Sequence, residues 1–263
     1  MKLSFEPTST SRAARGQTAF TLVEIAISLA VIAFALVAII GVLPLGLSVQ
    51  RENREETIIN QDAAFFAGAI RNGSFGLDDL TNYVFAITNY VTEYDENTNR
   101  LKRLPPWGHT YLVSTANPRL RLTNGYNIIG LMSTPKYTPT PNGRDSFFSN
   151  HVVGFVRALS GLAVEKAPQN NIDVRQDAFA YRLICENLPL PVSDPGSPFS
   201  RQLSYNLHEL RLTFRWPLQL NGSAGNGRLT FRTQVSGSLT NDPPLNDERT
   251  WFFQPQTFTQ APP

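Results

Sequence analysis

Between Glu24 and Arg51 this chain carries no charged side chain. Residues 25–43 are apolar at every position except Ser28 and Gly41, and no polar face emerges at helical spacing. A soluble helix of that length shows a wet side, so a buried core helix is a poor reading. The run is long enough to cross a bilayer, which takes about 20 residues of helix. Its flanks set the direction. Residues 1–19 carry Lys2, Arg12 and Arg15 against Glu6, whereas "RENREE" beyond the run holds two basic and three acidic groups. By the positive-inside rule the N-terminus stays in the cytoplasm and the chain after the run is exported.

A cleaved secretory signal would need an apolar core of about 7–15 residues and then a small-residue cut site. "AFA" at 33–35 offers such a site, but cutting there leaves "LVAIIGVLPLGL" as a greasy new N-terminus. Neither a plain anchor nor a cleaved signal accounts for Glu24 at the threshold. The stretch "FTLVE", residues 20–24, follows a basic leader and opens the apolar run. In that setting it resembles the processing motif of type IV prepilins and of the pseudopilins of type II secretion. The resemblance is specific over residues 15–47.

What the resemblance implies is concrete. A membrane peptidase cuts between Ala19 and Phe20 on the cytoplasmic side and methylates the new N-terminus at Phe20. The apolar segment is kept. Glu24 becomes the fifth residue of the mature chain, serves processing, and meets the N-terminus of a neighbouring subunit during docking. The family usually has glycine before the cut; here Ala19 stands there, with Gly16 three residues upstream. Cutting after Gly16 would push Glu24 to the eighth position, so Ala19 is the smaller departure, and both cuts stay open. The same residues also spell a capping box, with Thr21 and Glu24 in the T-x-x-E spacing. Glutamate in a first turn suits the helix dipole as well.

Pro44 removes one backbone donor and is expected to kink the helix. Beyond it, "TIINQDAAFFAGAIRNG" is amphipathic. Ile59, Ala63, Phe66 and Ile70 recur at helical spacing, with Ile58, Phe65 and Ala69 beside them. Asn72-Gly73 reads as a stop. A helix from Thr21 to Asn72 would be about 78 Å long. Its first half belongs in lipid or a filament core, and Ile59, Phe66 and Ile70 in its second half would pack on a head.

The rest of the chain reads as mostly β. "LRLTFRW" alternates Leu210, Leu212, Phe214 and Trp216 with Arg211, Thr213 and Arg215, and "RLTFRTQVS" repeats the pattern with Leu229, Phe231, Thr233 and Val235. Joined by the turn-rich "PLQLNGSAGNG", they predict an antiparallel hairpin with one buried face. "HTYLVST", "NIIGLMS", "HVVGFVRAL" and "AFAYRLI" are further strand candidates. Proline-rich stretches at 135–141, 189–198 and 243–244 read as loops. "LTNYVFAITNYVTEY" fits helix or strand.

Chemistry is thin by comparison. None of H-E-x-x-H, G-x-S-x-G or G-x-x-x-x-G-K-[ST] occurs. His109, His151 and His208 lie far apart, each in or beside a strand candidate. Cys185, the single cysteine, rules out an intrachain disulfide and reads as a small buried hydrophobe. Asp242, Asp247 and Glu248 could offer oxygens to calcium, although a solvated loop is the simpler reading. Asp78 and Asp79 suit a turn or helix start. The net charge is +2 with basic residues scattered along the sequence, which suggests no nucleic-acid surface.

The expected fold class is therefore α+β: a pilin-like long N-terminal helix, membrane-spanning in its first half, packed on a β-rich antiparallel head. Residues 1–19 form the leader, 20–47 the membrane and assembly half of the helix, 48–72 its amphipathic half, and 73–263 the head. The resemblance implies a structural subunit rather than an enzyme, without cofactor or metal. The large head and the lack of a cysteine pair point to a minor pseudopilin or minor pilin. Its implied partners are prepilin peptidase, other pilin or pseudopilin subunits, an inner-membrane assembly platform and membrane lipid. It would cross the bacterial inner membrane once, head in the periplasm, before joining a filament. The alternative is an exported binding module or enzyme held by an uncleaved signal-anchor.

Overall fold

The computed structural model describes residues 20–73, 78–95, 107–139, 146–160, 179–194, 196–219, 221–242, 250–258 and 260. Thr21 precedes helix α1 (Leu22–Asn72), and its Oγ1 accepts the Glu24 N–H at 3.3 Å. One of the orphan donors of a helix start is satisfied in this way. The helix runs through Pro44 and ends where Gly73 takes φ 64°. Glycine enters that left-handed conformation without the penalty a Cβ imposes.

Two compact units divide the chain, Met1–Asn53 and Arg54–Pro263. Among the described residues the first unit is Phe20, Thr21 and the N-terminal part of α1, and each of these residues is exposed. The second unit contains the last turns of α1 and an antiparallel sheet. Its strands are β1 (Val84–Asp95), β2 (Trp107–Leu112), β3 (Tyr137–Pro139), β4 (Ser146–Arg157), β5 (Ala180–Pro189), β6 (Leu207–Leu218) and β7 (Ala224–Ser236). Their order is β2-β1-β4-β5-β6-β7, and β3 pairs with Phe147 to Ser149 of β4, past the end of β5. Helix α2 (Gly125–Met132), helix α3 (Pro198–Asn206) and the hairpin of β8 (Ser238–Asp242) with β9 (Thr250–Gln254) complete the head.

Alternation explains the sheet. In β6 His208, Leu210, Leu212, Phe214 and Trp216 are buried while the residues between them are partly open. A period of two sends these side chains to one face. Tyr181, Leu183 and Cys185 of β5 join the same core. The second half of α1 lies in that core too, with Ile59, Phe66 and Ile70 at 0% exposure and Ile58, Ala63 and Ala69 beside them. Fully burying each large apolar side chain is worth about 1.5–3 kcal/mol. The result is an α+β protein with one long apolar N-terminal helix and a multi-stranded antiparallel sheet.

Four readings need correction. "NIIGLMS" is not a strand but most of α2. Asn124 caps that helix by accepting the Asn127 N–H at 2.9 Å, and the helix is buried on nearly all sides, so no period betrayed it. Phe65 is 37% exposed and stands off the core; the aspartate Asp62 takes the buried position in the stripe. The proline-rich 135–141 stretch contains the short strand β3 rather than only loop. Residues 224–227 of the supposed connector extend β7, which shortens the turn. "LTNYVFAITNYVTEY" resolves as a short 3-10 turn (Asp78–Asn82) followed by β1.

Candidate functional site

An unpartnered apolar helix is the most distinctive surface of the described residues. Phe20 is 75% exposed, Leu22 85% and Phe34 79%, and the exposed run continues through Val49. No other described helix is long and apolar enough to cross a membrane. The dozen Ile, Leu, Val and Phe residues at 25–43 favour insertion by about 4–7 kcal/mol on translocon scales. Glu24 opposes this with less than the roughly 2.5–3.5 kcal/mol charged at a span's centre, because it lies at the end. Insertion wins.

The few polar groups in the run are handled locally. Ser28 Oγ donates to the Glu24 carbonyl at 2.8 Å, and Ser48 Oγ donates to the Leu45 carbonyl at 2.9 Å. Hydroxyls bonded to their own helix can enter hydrocarbon without an unmet donor. Pro44 lies inside the helix and leaves a carbonyl one turn earlier without its backbone partner. Glu24 is exposed in the first turn, and it is the backbone N–H, not the carboxylate, that bonds Thr21. The carboxylate has no hydrogen-bond or ion-pair partner among the described residues. Phe20 is the first described residue. Ala19 and the leader lie outside the described residues, as do Asp247 and Glu248 of the calcium reading.

Where the helix enters the head, the sequence reading missed Asp62. It is 1% exposed, and its carboxylate accepts hydrogen bonds from Leu159, Ser160 and Tyr181. Leu159 N–H reaches Oδ2 at 2.9 Å, Tyr181 OH reaches Oδ2 at 2.8 Å, and Ser160 Oγ reaches Oδ1 at 2.7 Å. The Ile58 carbonyl is a second acceptor for Ser160, at 3.3 Å. Burial pushes the Asp62 carboxyl above its ordinary range, partly offset by these donors. Burial, with the Asp62 charge next in weight, pushes the Tyr181 phenol well above 10.0. The signal was present in the sequence: an aspartate three residues after Ile59 and four before Phe66 falls in the apolar phase.

The remaining chemistry-bearing residues are dispersed. Cys185 is buried in β5, and burial raises its thiol. His208 packs edge-on against Phe253 with ring centroids 5.3 Å apart, and burial lowers its pKa. His151 sits beside Tyr90, its pKa lowered by burial and then by the Lys136 charge. His109 neighbours Tyr111 on β2. No group of three or more His, Cys, Asp or Glu is placed to hold a metal ion among the described residues.

The arrangement suits a single-pass, membrane-anchored protein with a β-sheet head. No protein-family model matches the chain, and neither the curated proteins nor the solved structures contain a significant match.

Proposed function

We propose that this chain is a structural subunit of a pilus-like filament, a minor pseudopilin of a type II secretion pseudopilus or a minor pilin of a type IV pilus-like fibre. It is made as a precursor, cut before Phe20 by prepilin peptidase, N-methylated there and held in the inner membrane by the first half of α1. Assembly then moves that helix from lipid into a bundle with the helices of neighbouring subunits. The assembly platform drives the transfer, and the head faces the periplasm.

One observation carries the reading. A helical surface exposed from Phe20 through Val49 and free of charge after Glu24 opens on "FTLVE", whose carboxylate has no partner among the described residues, and leads into a half-helix buried on an antiparallel sheet. Lipid satisfies the apolar surface, but an unpaired carboxylate at its edge calls for a cation. The new N-terminal amine of a neighbour is such a cation.

The mass and sequence of the mature N-terminus in the membrane fraction test this reading. A chain that starts at methyl-Phe20 supports it. An intact Met1 would make the protein an exported module on an uncleaved anchor, with no filament.

A further inference from the structure

Arginines distant in sequence meet on the outer face of the sheet, away from the core. The register sets Arg182 of β5 opposite Arg215 of β6, and Arg215 opposite Arg228 of β7. With strands about 4.8 Å apart, three cationic side chains cross the sheet within about 10 Å. Like charges directly opposite one another destabilise a sheet. A second pair, Arg211 and Arg232, is also opposed, but Glu209 reaches these two at 2.6 and 4.0 Å. Glu186 is engaged by Lys136 at 2.8 Å. The first row has no such relief. Among the described residues Arg182, Arg215 and Arg228 have no ion pair, and Nε of Arg182 and of Arg215 is shielded from water without a hydrogen-bond partner. A row that weakens the fold and meets no anion among the described residues fits an external one.

Aromatic rings continue the row. Phe155 of β4 stands opposite Arg182. The irregularity between Val84 and Ala86 in β1 brings Phe85 beside it, with ring centroids 6.2 Å apart, and Phe85 is 41% exposed. An acidic peptide would be met by the arginines alone. The exposed Phe85 ring, with the half-buried Phe155 beside it and guanidinium groups next in the row, adds a platform for planar bases, as on other sheets that take single strands. Arginine also suits phosphate better than lysine, through its planar fork of donors.

We propose that this face binds single-stranded nucleic acid. Arg182, Arg215 and Arg228 hold the phosphate backbone, and Phe85 with Phe155 stacks the bases. The scatter of basic residues along the sequence concealed the row, because strand order brings them together. The site is independent of how the N-terminus is processed or whether the chain assembles, so its test stands apart from that of the filament reading.

The experiment is fluorescence anisotropy of a labelled oligothymidylate with the full-length chain in detergent micelles, across a range of salt. The parent should bind. The triple variant Arg182→Gln/Arg215→Gln/Arg228→Gln should bind at least about tenfold more weakly, and its log–log salt slope should be shallower by about 2, since each single-strand phosphate contact contributes roughly 0.7. Phe85→Ala should weaken binding while leaving that slope unchanged. A charge-matched control, Arg54→Gln/Arg71→Gln/Arg119→Gln, should bind like the parent. Circular dichroism checks the fold, and the triple variant should melt no lower than the parent because a like-charge row has gone. Failure of the parent to bind, or parent-like binding by the triple variant, would overturn the proposal. So would polyglutamate competing as well as unlabelled oligothymidylate with no effect of Phe85→Ala, which would mark an acidic-polypeptide surface.

Discussion

Asp62 occupies a place where an apolar side chain would complete the helix stripe, and the reason lies in the backbone it meets. The Leu159 N–H, just past the end of β4, points at the helix, and a buried donor of this kind needs an acceptor. Asp62→Ala would strand that N–H and the Tyr181 hydroxyl, while Ser160 could turn to the Ile58 carbonyl. At about 1–3 kcal/mol per stranded donor, the cost should be about 2–6 kcal/mol in urea unfolding. Asp62→Asn keeps an acceptor oxygen for both and should cost far less. The pH dependence has a definite sign. The folded carboxyl titrates above 3.8, so the native state holds a proton that the unfolded state has already released. Stability from this group is therefore fully present below 3.8 and declines as pH rises through the folded value. Asp62→Asn should remove that decline, so the stability difference between variant and parent should shift in favour of the variant as pH rises from 3.8. A flat difference would show that burial does not govern this carboxyl. The phase of Asp62 in the stripe was legible, but its partner Leu159 is 97 residues downstream and no local pattern names it.

At the scale of elements, periodicity decides what a sequence discloses. In β6 and β7 the outward arginines and threonines mark the polar face, and the alternation reads directly as a hairpin. Helix α2 has no polar side to mark it, so its apolar run suits a buried strand equally well. The Asn124 cap is the local feature that marks its start. Packing at α2 is close enough to test. A Cβ at Gly130 would lie 2.5 Å from Phe252 Cζ and 2.6 Å from Thr250 Cβ. Gly130→Ala gains helix propensity but must push β9 away, and overpacking of that kind costs about 1–3 kcal/mol. A lowered melting temperature is the expected result; an unchanged one would mean β9 yields freely. The second half of α1 allows a larger test. Ile59, Phe66 and Ile70 are fully buried and together contribute about 5–9 kcal/mol of burial. That equals the stability of many whole domains. A chain beginning at Gln50 should be soluble and fold cooperatively. One beginning at Ser74 should expose the sheet face and aggregate. Equal solubility and melting of the two would show the half-helix to be dispensable.

For the whole molecule, the division of labour along α1 is the central fact: one half exposes apolar surface without interruption, and the other buries it against the head. The apolar run announced the first half because nothing but lipid or another helix tolerates it. What the sequence left open is whether Glu24 belongs to the helix or to a neighbour. The capping bond that is present uses the Glu24 backbone N–H and the Thr21 hydroxyl, so it survives any substitution of the Glu24 side chain that keeps the helix. Glu24→Gln therefore changes only the charge. If the carboxylate merely assists the helix start, loss of its favourable dipole term costs about 0.3–1 kcal/mol and should leave membrane insertion and assembly near normal. If it pairs with the N-terminal amine of the next subunit, Glu24→Gln leaves that amine without its counter-charge in an apolar bundle, where breaking a buried pair costs about 3–5 kcal/mol. That is a loss of more than a hundredfold in docking at each contact. The expected result is a variant still cut before Phe20 and still extracted with the membrane, yet nearly absent from sheared filaments and poorly cross-linked to other subunits. Thr21→Val supplies the complementary arm, since it removes the cap and keeps the charge; it should assemble well. Filament incorporation of Glu24→Gln at the parental level, with Thr21→Val impaired, would assign Glu24 to the helix start and end the docking role.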